Sequence, residues 1–160
     1  MSSDHTPNPA RIGWLLRQAQ RQAGRALVVA LRPLGVEGRH YGVLFQLDAF
    51  GPLSQRRLMD LTGEDRTAMV RTVDDLERLG LAVRRPDPAD RRAHAVELTE
   101  AGRAMRAQAG QVADRVAAGL LDGFTPAECD TLYDLLERFV APAGRPLLST
   151  TAPVEKGPMR

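Results

Sequence analysis

Residues 54–80 read SQRRLMDLTGEDRTAMVRTVDDLERLG and carry the signals for two short helices joined by a tight turn. Ser54 and Asp65 are residue types that cap helix N-termini, and each precedes a run with apolar side chains at helical spacing. Gly63 lies between the two runs, where a tight turn is needed, and Gly80 follows the second run as a helix terminator. The stretch predicts a helix-turn-helix whose second helix covers about 65–79.

The next segment predicts a β-hairpin. LAVRR (81–85) and HAVEL (94–98) are short strand-like runs, and PDPADRR (86–92) lies between them. Two prolines in seven residues mark a loop. Such a hairpin, with Arg91 and Arg92 near its tip, is either an ordinary solvated turn or a wing that probes a partner. After a helix-turn-helix, the order of elements favours the wing.

Long helices are predicted on both sides of this unit. Helical periodicity covers about 9–32, 39–50, 100–122 and 126–140. Residues 1–8 are expected to be disordered, and 142–160, rich in Pro, Ser, Thr and Gly, to be a flexible tail. The predicted fold is mostly α with a small β-hairpin wing, in a single domain over 9–141.

Composition excludes several functional classes. The single cysteine, Cys129, rules out an internal disulfide and is interpreted as a packing residue. The sequence has no metal-ligand pattern, no phosphate-binding glycine loop and no paired nucleophile and base, so neither an enzyme nor a cofactor is expected. No apolar run approaches the roughly 20 residues that span a membrane, and the first residues lack a signal-peptide core. We expect a cytoplasmic protein.

Charge alone does not identify a partner. The net charge is +2, and residues 54–98 carry nine arginines and nine acidic residues. A winged-helix module that binds protein without specific DNA binding is therefore the alternative to a DNA-binding protein. A steep fall in DNA affinity with salt would distinguish the two.

The distribution of charge on the second helix favours DNA. With Met69, Val73 and Leu76 buried, a spacing of 100° per residue turns a different set of side chains outward. This outward set is Thr67, Ala68, Arg71, Asp75 and Arg78. Its N-terminal part is small and basic, which suits a helix end that enters a major groove, and Arg71 could pair with guanine O6 and N7. A single helical arginine is more often only a solvated surface residue.

Residues 53–105, from LSQRRLMDL to LTEAGRAM, resemble the central segment of MarR-family transcriptional regulators. The run MVRTVDDLERLGLAVRR is similar to the SlyA-type branch, and DRR followed by a strand and LTEAG is the most specific signature. The resemblance extends over about 10–140. It implies a winged helix-turn-helix at about 39–98, dimerisation helices at about 9–33 and 99–140, and a homodimer. It also implies repression or activation of nearby genes, often relieved by a small phenolic or other amphipathic ligand.

The resemblance also assigns candidate DNA contacts. The residues predicted to contact double-stranded DNA are Ser54, Gln55, Arg66, Thr67, Ala68, Arg71, Thr72, Asp90, Arg91 and Arg92. In the family, the wing aspartate orients an arginine in the minor groove, where a narrow A·T-rich groove attracts cations. Position 64 departs from the family because an apolar residue is usual there and this chain has Glu64. Glu64 either loosens the turn or places a carboxylate near DNA.

The family's ligand pocket lies between the dimerisation helices and the winged domain. The residues of this sequence that fall there are Trp14, Arg17, His40, Tyr41 and Phe45. An aromatic wall with an arginine nearby would suit an aromatic carboxylate or a phenolate. The alternative is that these aromatic residues only pack the junction of the helices.

Overall fold

The computed structural model describes residues 8–86 and 94–140. The helices are α1 (Pro9–Leu31), α2 (Gly38–Phe50), α3 (Gln55–Thr62), α4 (Arg66–Arg78), α5 (Glu100–Leu120) and α6 (Pro126–Val140). The strands are β1 (Leu53–Ser54), β2 (Ala82–Pro86) and β3 (His94–Leu98), and a 3-10 turn at Arg32–Leu34 ends α1. The mostly helical fold with a small sheet is confirmed.

The predicted caps of the helix-turn-helix are present. The Ser54 hydroxyl accepts a hydrogen bond from the Arg57 N–H at 3.2 Å, and the Asp65 carboxylate accepts one from the Ala68 N–H at 2.8 Å. Gly63 ends α3 with a φ of +73°, a left-handed conformation that glycine adopts without strain. Asn8 caps α1 by accepting from the Ala10 N–H at 2.9 Å, and residues 1–7 of the segment expected to be disordered lie outside the described residues.

The sheet has three antiparallel strands in the order β1-β3-β2. The hairpin register pairs Ala82 with Leu98 at its base and Pro86 with His94 at the other end. Strand β1 adds Leu53 opposite Val96, and this strand is missing from the sequence prediction because two residues are too few for an alternating pattern. The short strand joins the start of α3 to the base of the wing.

The core fixes α4 against its neighbours. Met69, Val73 and Leu76 are fully buried, as their spacing predicts, and pack with residues of α2, α3 and the sheet. Gly102 allows α5 to approach the start of the hairpin, because a Cβ there would lie 1.9 Å from the Leu81 carbonyl oxygen. Thr99 joins the same elements, since its hydroxyl donates to the Gly80 carbonyl at 2.7 Å and accepts from the Gly102 N–H at 3.0 Å.

The chain divides into two compact units after Leu120. In the first unit, α1 packs along α5, and its apolar stripe is only half-buried over Leu16, Ala23, Leu27 and Ala30. The second unit contains α6, in which no residue is buried. Both α1 and α6 therefore carry exposed apolar side chains in the single chain.

Candidate nucleic-acid interface

The first half of α4 presents unpaired arginines to solvent. Arg66, Thr67 and Arg71 are exposed, and Ala68 is half-buried beside them. Among the residues that the structure describes, no carboxylate lies within 4 Å of either guanidinium. The helix dipole adds partial positive charge at this end. The small and basic side chains of this half of the helix are therefore suited to bind an anion.

Thr72 is the exception among the candidate contacts on α4, and placing it on the groove face is wrong. Its side chain is completely buried, and its hydroxyl donates to the Ala68 carbonyl at 3.0 Å and lies 3.3 Å from a Glu64 carboxylate oxygen. It lies three residues after Met69 and four before Leu76, so it belongs to the buried seam. The Glu64 carboxylate is half-buried beside it.

The second half of α4 carries acids that are all paired. Asp75 accepts from Arg39 of α2 at 2.9 Å and from Arg78 of its own helix at 2.6 Å. The hydrogen bond from Arg78, together with the charges of Arg78 and then Arg39, lowers the pKa of the Asp75 carboxyl below its usual range. This carboxylate thus attaches α4 to the N-terminus of α2.

Arg84 attaches the opposite side of the same helix half to the wing. Its guanidinium pairs with Asp74 at 2.7 Å and with Glu77, whose carboxylate also accepts from the Arg84 backbone N–H at 2.7 Å. Gln55, turned so that its amide oxygen faces the guanidinium, accepts from Arg84 Nε at 3.0 Å and from Nη2 at 2.8 Å. The charge of Arg84 is therefore neutralised by two carboxylates, and the amide oxygen of Gln55 is occupied by the same guanidinium.

The start of α3 adds two cations that the sequence interpretation missed as candidate contacts. Arg56 and Arg57 are exposed in its first turn. In a helix-turn-helix the first helix crosses the DNA backbone, so cations here are suited to phosphates. Ser54 has its hydroxyl in the helix cap. The adjacent arginines were visible in the sequence, but only their exposure makes them candidates.

The tip of the wing, with Asp90, Arg91 and Arg92, lies outside the described residues. Near the tip, in β2, Arg85 is exposed and pairs with Glu97 of β3 at 3.2 Å.

The predicted ligand residues separate into three places. Tyr41 and Phe45 form a tilted aromatic pair on α2, with ring centroids 6.3 Å apart. Trp14, 58% exposed, and Arg17, also exposed, are not enclosed by the described residues. His40 is buried where α2 meets α4. The structure therefore supports an aromatic wall from two of the five residues.

Arg106 of α5 completes that wall and was missed by the sequence interpretation. Its guanidinium carbon lies 4.9 Å from the Phe45 ring centroid and 5.8 Å from that of Tyr41, within cation–π range. Its Nε lies 3.5 Å from a carboxylate oxygen of Asp48. Sequence reasoning had no signal for it, because the contact joins residues about 60 positions apart.

Similarity to known proteins agrees with this geometry. A model of the MarR family matches residues 34–93, which contain the helix-turn-helix and the first strand of the hairpin. A MarR-family transcriptional regulator from Rhodococcus sp. RHA1 superposes with a TM-score of 0.78 at 29% identity, over 86% of this chain and 98% of that one. CouR from Rhodococcus jostii RHA1, bound to p-coumaroyl-CoA, gives 0.74 at 31% identity, over 84% and 95%. The chain belongs to the MarR family.

A MarR mutant from E. coli, complexed with operator DNA, superposes with a TM-score of 0.73 at 27% identity, over 81% of this chain and 94% of that one. Membership places this MarR-family chain among transcriptional regulators and not among enzymes. The SlyA-type branch stays a prediction. None of the helices within 8–86 and 94–140 has the length and apolar character to cross a membrane. In the same residues, no group of three or more His, Cys, Asp or Glu side chains is placed to hold a metal ion.

Proposed function

We propose that this MarR-family chain is a ligand-responsive repressor that binds a pseudo-palindromic operator as a homodimer. The observation that carries the proposal is the exposed pair Arg66 and Arg71 at the positive end of α4, while the acids of that helix are occupied elsewhere. This arrangement leaves a cationic surface in the position where winged helix-turn-helix proteins meet the major groove. The operator complex of the similar E. coli protein supports operator DNA as the partner.

The terminal helices support the homodimer. On α1, Trp14, Val28 and Val29 are more than half exposed, and on α6 the same holds for Tyr133 and Phe139. Apolar surface of this extent is normally buried in a partner. Two recognition helices related by a two-fold axis would read half-sites about one helical turn apart. Sedimentation showing a monomer at micromolar concentration would contradict this part of the proposal.

Arg71 gives the decisive test of direct readout. Replacing it with alanine should cost about 1–3 kcal/mol per half-site and relax the preference at one base position, because a bidentate contact with guanine is lost. The measurement is the affinity of the wild type and the variant for an operator, taken from the region upstream of the gene, and for each single-base variant of that operator. Arg115→Ala, on an exposed part of α5, is the matched control.

The outcomes separate three readings of the site. A uniform loss over all sequences would make Arg71 a phosphate contact. Wild-type binding without a steep salt dependence would favour the alternative, a winged-helix protein-interaction module, because each neutralised phosphate contributes about 0.9 to the slope of log K against log salt. Loss of discrimination at one position supports the repressor mechanism.

The same proposal includes an aromatic, anionic effector. Tyr41, Phe45 and Arg106 present two ring faces and a guanidinium in one place, which suits a phenolate or an aromatic carboxylate. The p-coumaroyl-CoA on the similar CouR supports a phenolic ligand. We expect p-coumarate to release the operator, and Arg106→Gln to weaken that response more than DNA binding itself. An equal response to a neutral ester would contradict the role of Arg106.

A further inference from the structure

His40 occupies an unusual position at the junction of α2 and α4. Its side chain is 4% exposed, and its Nδ1 accepts a hydrogen bond from the Glu37 backbone N–H at 3.0 Å, while the Glu37 carboxylate accepts from the backbone of His40. Its other nitrogen, Nε2, has no hydrogen-bond partner among the described residues and lies 3.6 Å from a carboxylate oxygen of Asp75. A buried imidazole is therefore aimed at the carboxylate that holds the recognition helix.

The protonation state of the neutral ring follows from these contacts. Because Nδ1 accepts a hydrogen bond, the neutral imidazole must carry its proton on Nε2. That N–H faces Asp75 at a distance too long for a good hydrogen bond but short enough for electrostatic attraction. The neutral ring thus contacts two elements. Its Nδ1 takes part in the N-terminal cap of α2, and its Nε2 faces Asp75 of α4.

Asp75 transmits this contact to the DNA-facing half of α4. It lies four residues after Arg71, and therefore one turn further along the same face of the helix. The oxygen that faces His40 also accepts from Arg39 at 2.9 Å, and its other oxygen accepts from Arg78. A change at His40 that displaces Asp75 will consequently displace the turn that carries Arg71.

We propose that neutral His40 is a positioning residue for DNA recognition, which holds α4 in place through Asp75, and that protonating its ring weakens operator binding. The inference rests on the proposed function. A protonated ring would place an N–H at Nδ1 against the Glu37 N–H, so that two donors face each other and the first turn of α2 must open. The same imidazolium would compete with Arg39 for the shared oxygen of Asp75.

The surroundings of the ring set the pH range. The charged groups that face it are Arg39 and Glu37 from α2 and Asp75 from α4, with Arg78 acting through Asp75. Burial, assisted by the charge of Arg39, lowers the pKa of His40 below its usual 6.5, although Glu37 and Asp75 oppose this. The response is therefore expected on the acidic side of pH 6.5.

The sign of the effect distinguishes this mechanism from simple electrostatics. An additional positive charge on a DNA-binding domain should strengthen binding to a polyanion. Displacement of the recognition helix should weaken it. Weaker operator binding after His40 gains a positive charge would therefore indicate that His40 acts by positioning α4 and not by its charge.

The experiment compares the full-length wild type with His40→Gln at constant salt. Glutamine can accept from the Glu37 N–H and present an N–H to Asp75, but it does not titrate. Operator affinity is measured at pH 7.5 and pH 5.8. The two proteins should bind the operator with similar affinity at pH 7.5. At pH 5.8 the affinity of the wild type should be lower than that of the variant by about fivefold or more, a difference typical of coupling between two sites. His94→Gln, on the exposed start of β3, should keep the wild-type profile.

An affinity ratio between wild type and His40→Gln that does not change with pH would overturn the proposal. Absence of operator binding by the wild type at pH 7.5 would instead overturn the proposed function. If His40→Gln does not fold, NMR titration of His40 in the wild type replaces it. Linkage requires a lower pKa for His40 in the operator complex than in the free protein, and an equal or higher pKa would refute the inference.

Discussion

The two halves of α4 use charge in opposite ways. In the first half, Arg66 and Arg71 are exposed without a carboxylate partner in the described part of the chain. In the second half, Asp74, Asp75 and Glu77 all pair with arginines, two of which come from α2 and β2. These contacts give the acids of α4 a structural role.

The difference shows how one short helix can be both fixed and available. Its second half is attached on one side to α2 through Asp75 and on the other to the wing through Arg84. These pairs constrain the direction of the helix, so the unpaired arginines of the first half project from a fixed base. A site preorganised in this way loses less conformational entropy on binding.

The sharpest test of this comparison replaces two arginines by methionine. One pairs with acids of the second half of α4, and the other is exposed in the first half. Arg84→Met should lower the free energy of unfolding by about 1–3 kcal/mol, because it leaves the carboxylates of Glu77 and Asp74 without their partner. Arg71→Met, the matched control, should change stability by no more than about 0.5 kcal/mol, as for ordinary surface substitutions. Urea denaturation of both variants at pH 7.5 measures the difference.

Equal losses of stability in the two variants would contradict the division of α4 into a fixed half and a binding half. DNA binding should show the reverse order once stability is accounted for. Arg71→Met should lose base discrimination, whereas Arg84→Met should retain the preferred sequence with weaker affinity.

A smaller effect is expected at the caps. Asp65→Ala should cost about 0.5–2 kcal/mol, because its carboxylate accepts from the Ala68 N–H at 2.8 Å and its charge complements the helix dipole. Ser54→Ala removes a neutral cap with a longer contact of 3.2 Å and should cost less. Thermal unfolding of the two variants would compare them directly. A greater loss of stability in Ser54→Ala would mean that the cap of α3 contributes more to the fold than the cap of α4.

The local elements were predictable because their signals are local. The caps at Ser54 and Asp65, the turn at Gly63 and the hairpin all follow from residue types with strong conformational preferences. Thr72 is instructive because helical spacing places it in the buried seam, whereas position-by-position transfer from the family placed it on the groove face. In this case the periodicity of the chain itself was the better guide.

Contacts between distant segments were not predictable in the same way. Arg106 against Phe45, and Arg39 against Asp75, depend on the packing of whole helices. A sequence shows that such residues are charged, but not which partner neutralises them. The candidate DNA surface could therefore be located from the sequence, while the ion pairs that hold it in place could not.

The smallest expected effect concerns Glu64, an acid beside the binding half of α4. Its carboxylate is half-buried, and its contact with the Thr72 hydroxyl, at 3.3 Å, is longer than the 3.0 Å contact from that hydroxyl to the Ala68 carbonyl. A hydroxyl has one hydrogen to donate, so Thr72 stays satisfied when Glu64 is removed. Glu64→Leu should therefore leave stability unchanged or raise it by up to about 1 kcal/mol, because an apolar group replaces a partly desolvated charge.

DNA affinity should also rise slightly in Glu64→Leu, since a negative charge beside the cationic surface is lost. Glu64→Gln separates the two effects: it keeps the shape and removes the charge, so it should reproduce the gain in affinity without the gain in stability. Chemical denaturation and operator titration at one salt concentration measure both quantities. A loss of more than about 1 kcal/mol in Glu64→Leu would show that the carboxylate supports the turn between α3 and α4. The binding half of α4 would then be held in place by an acid of its own, as the other half is.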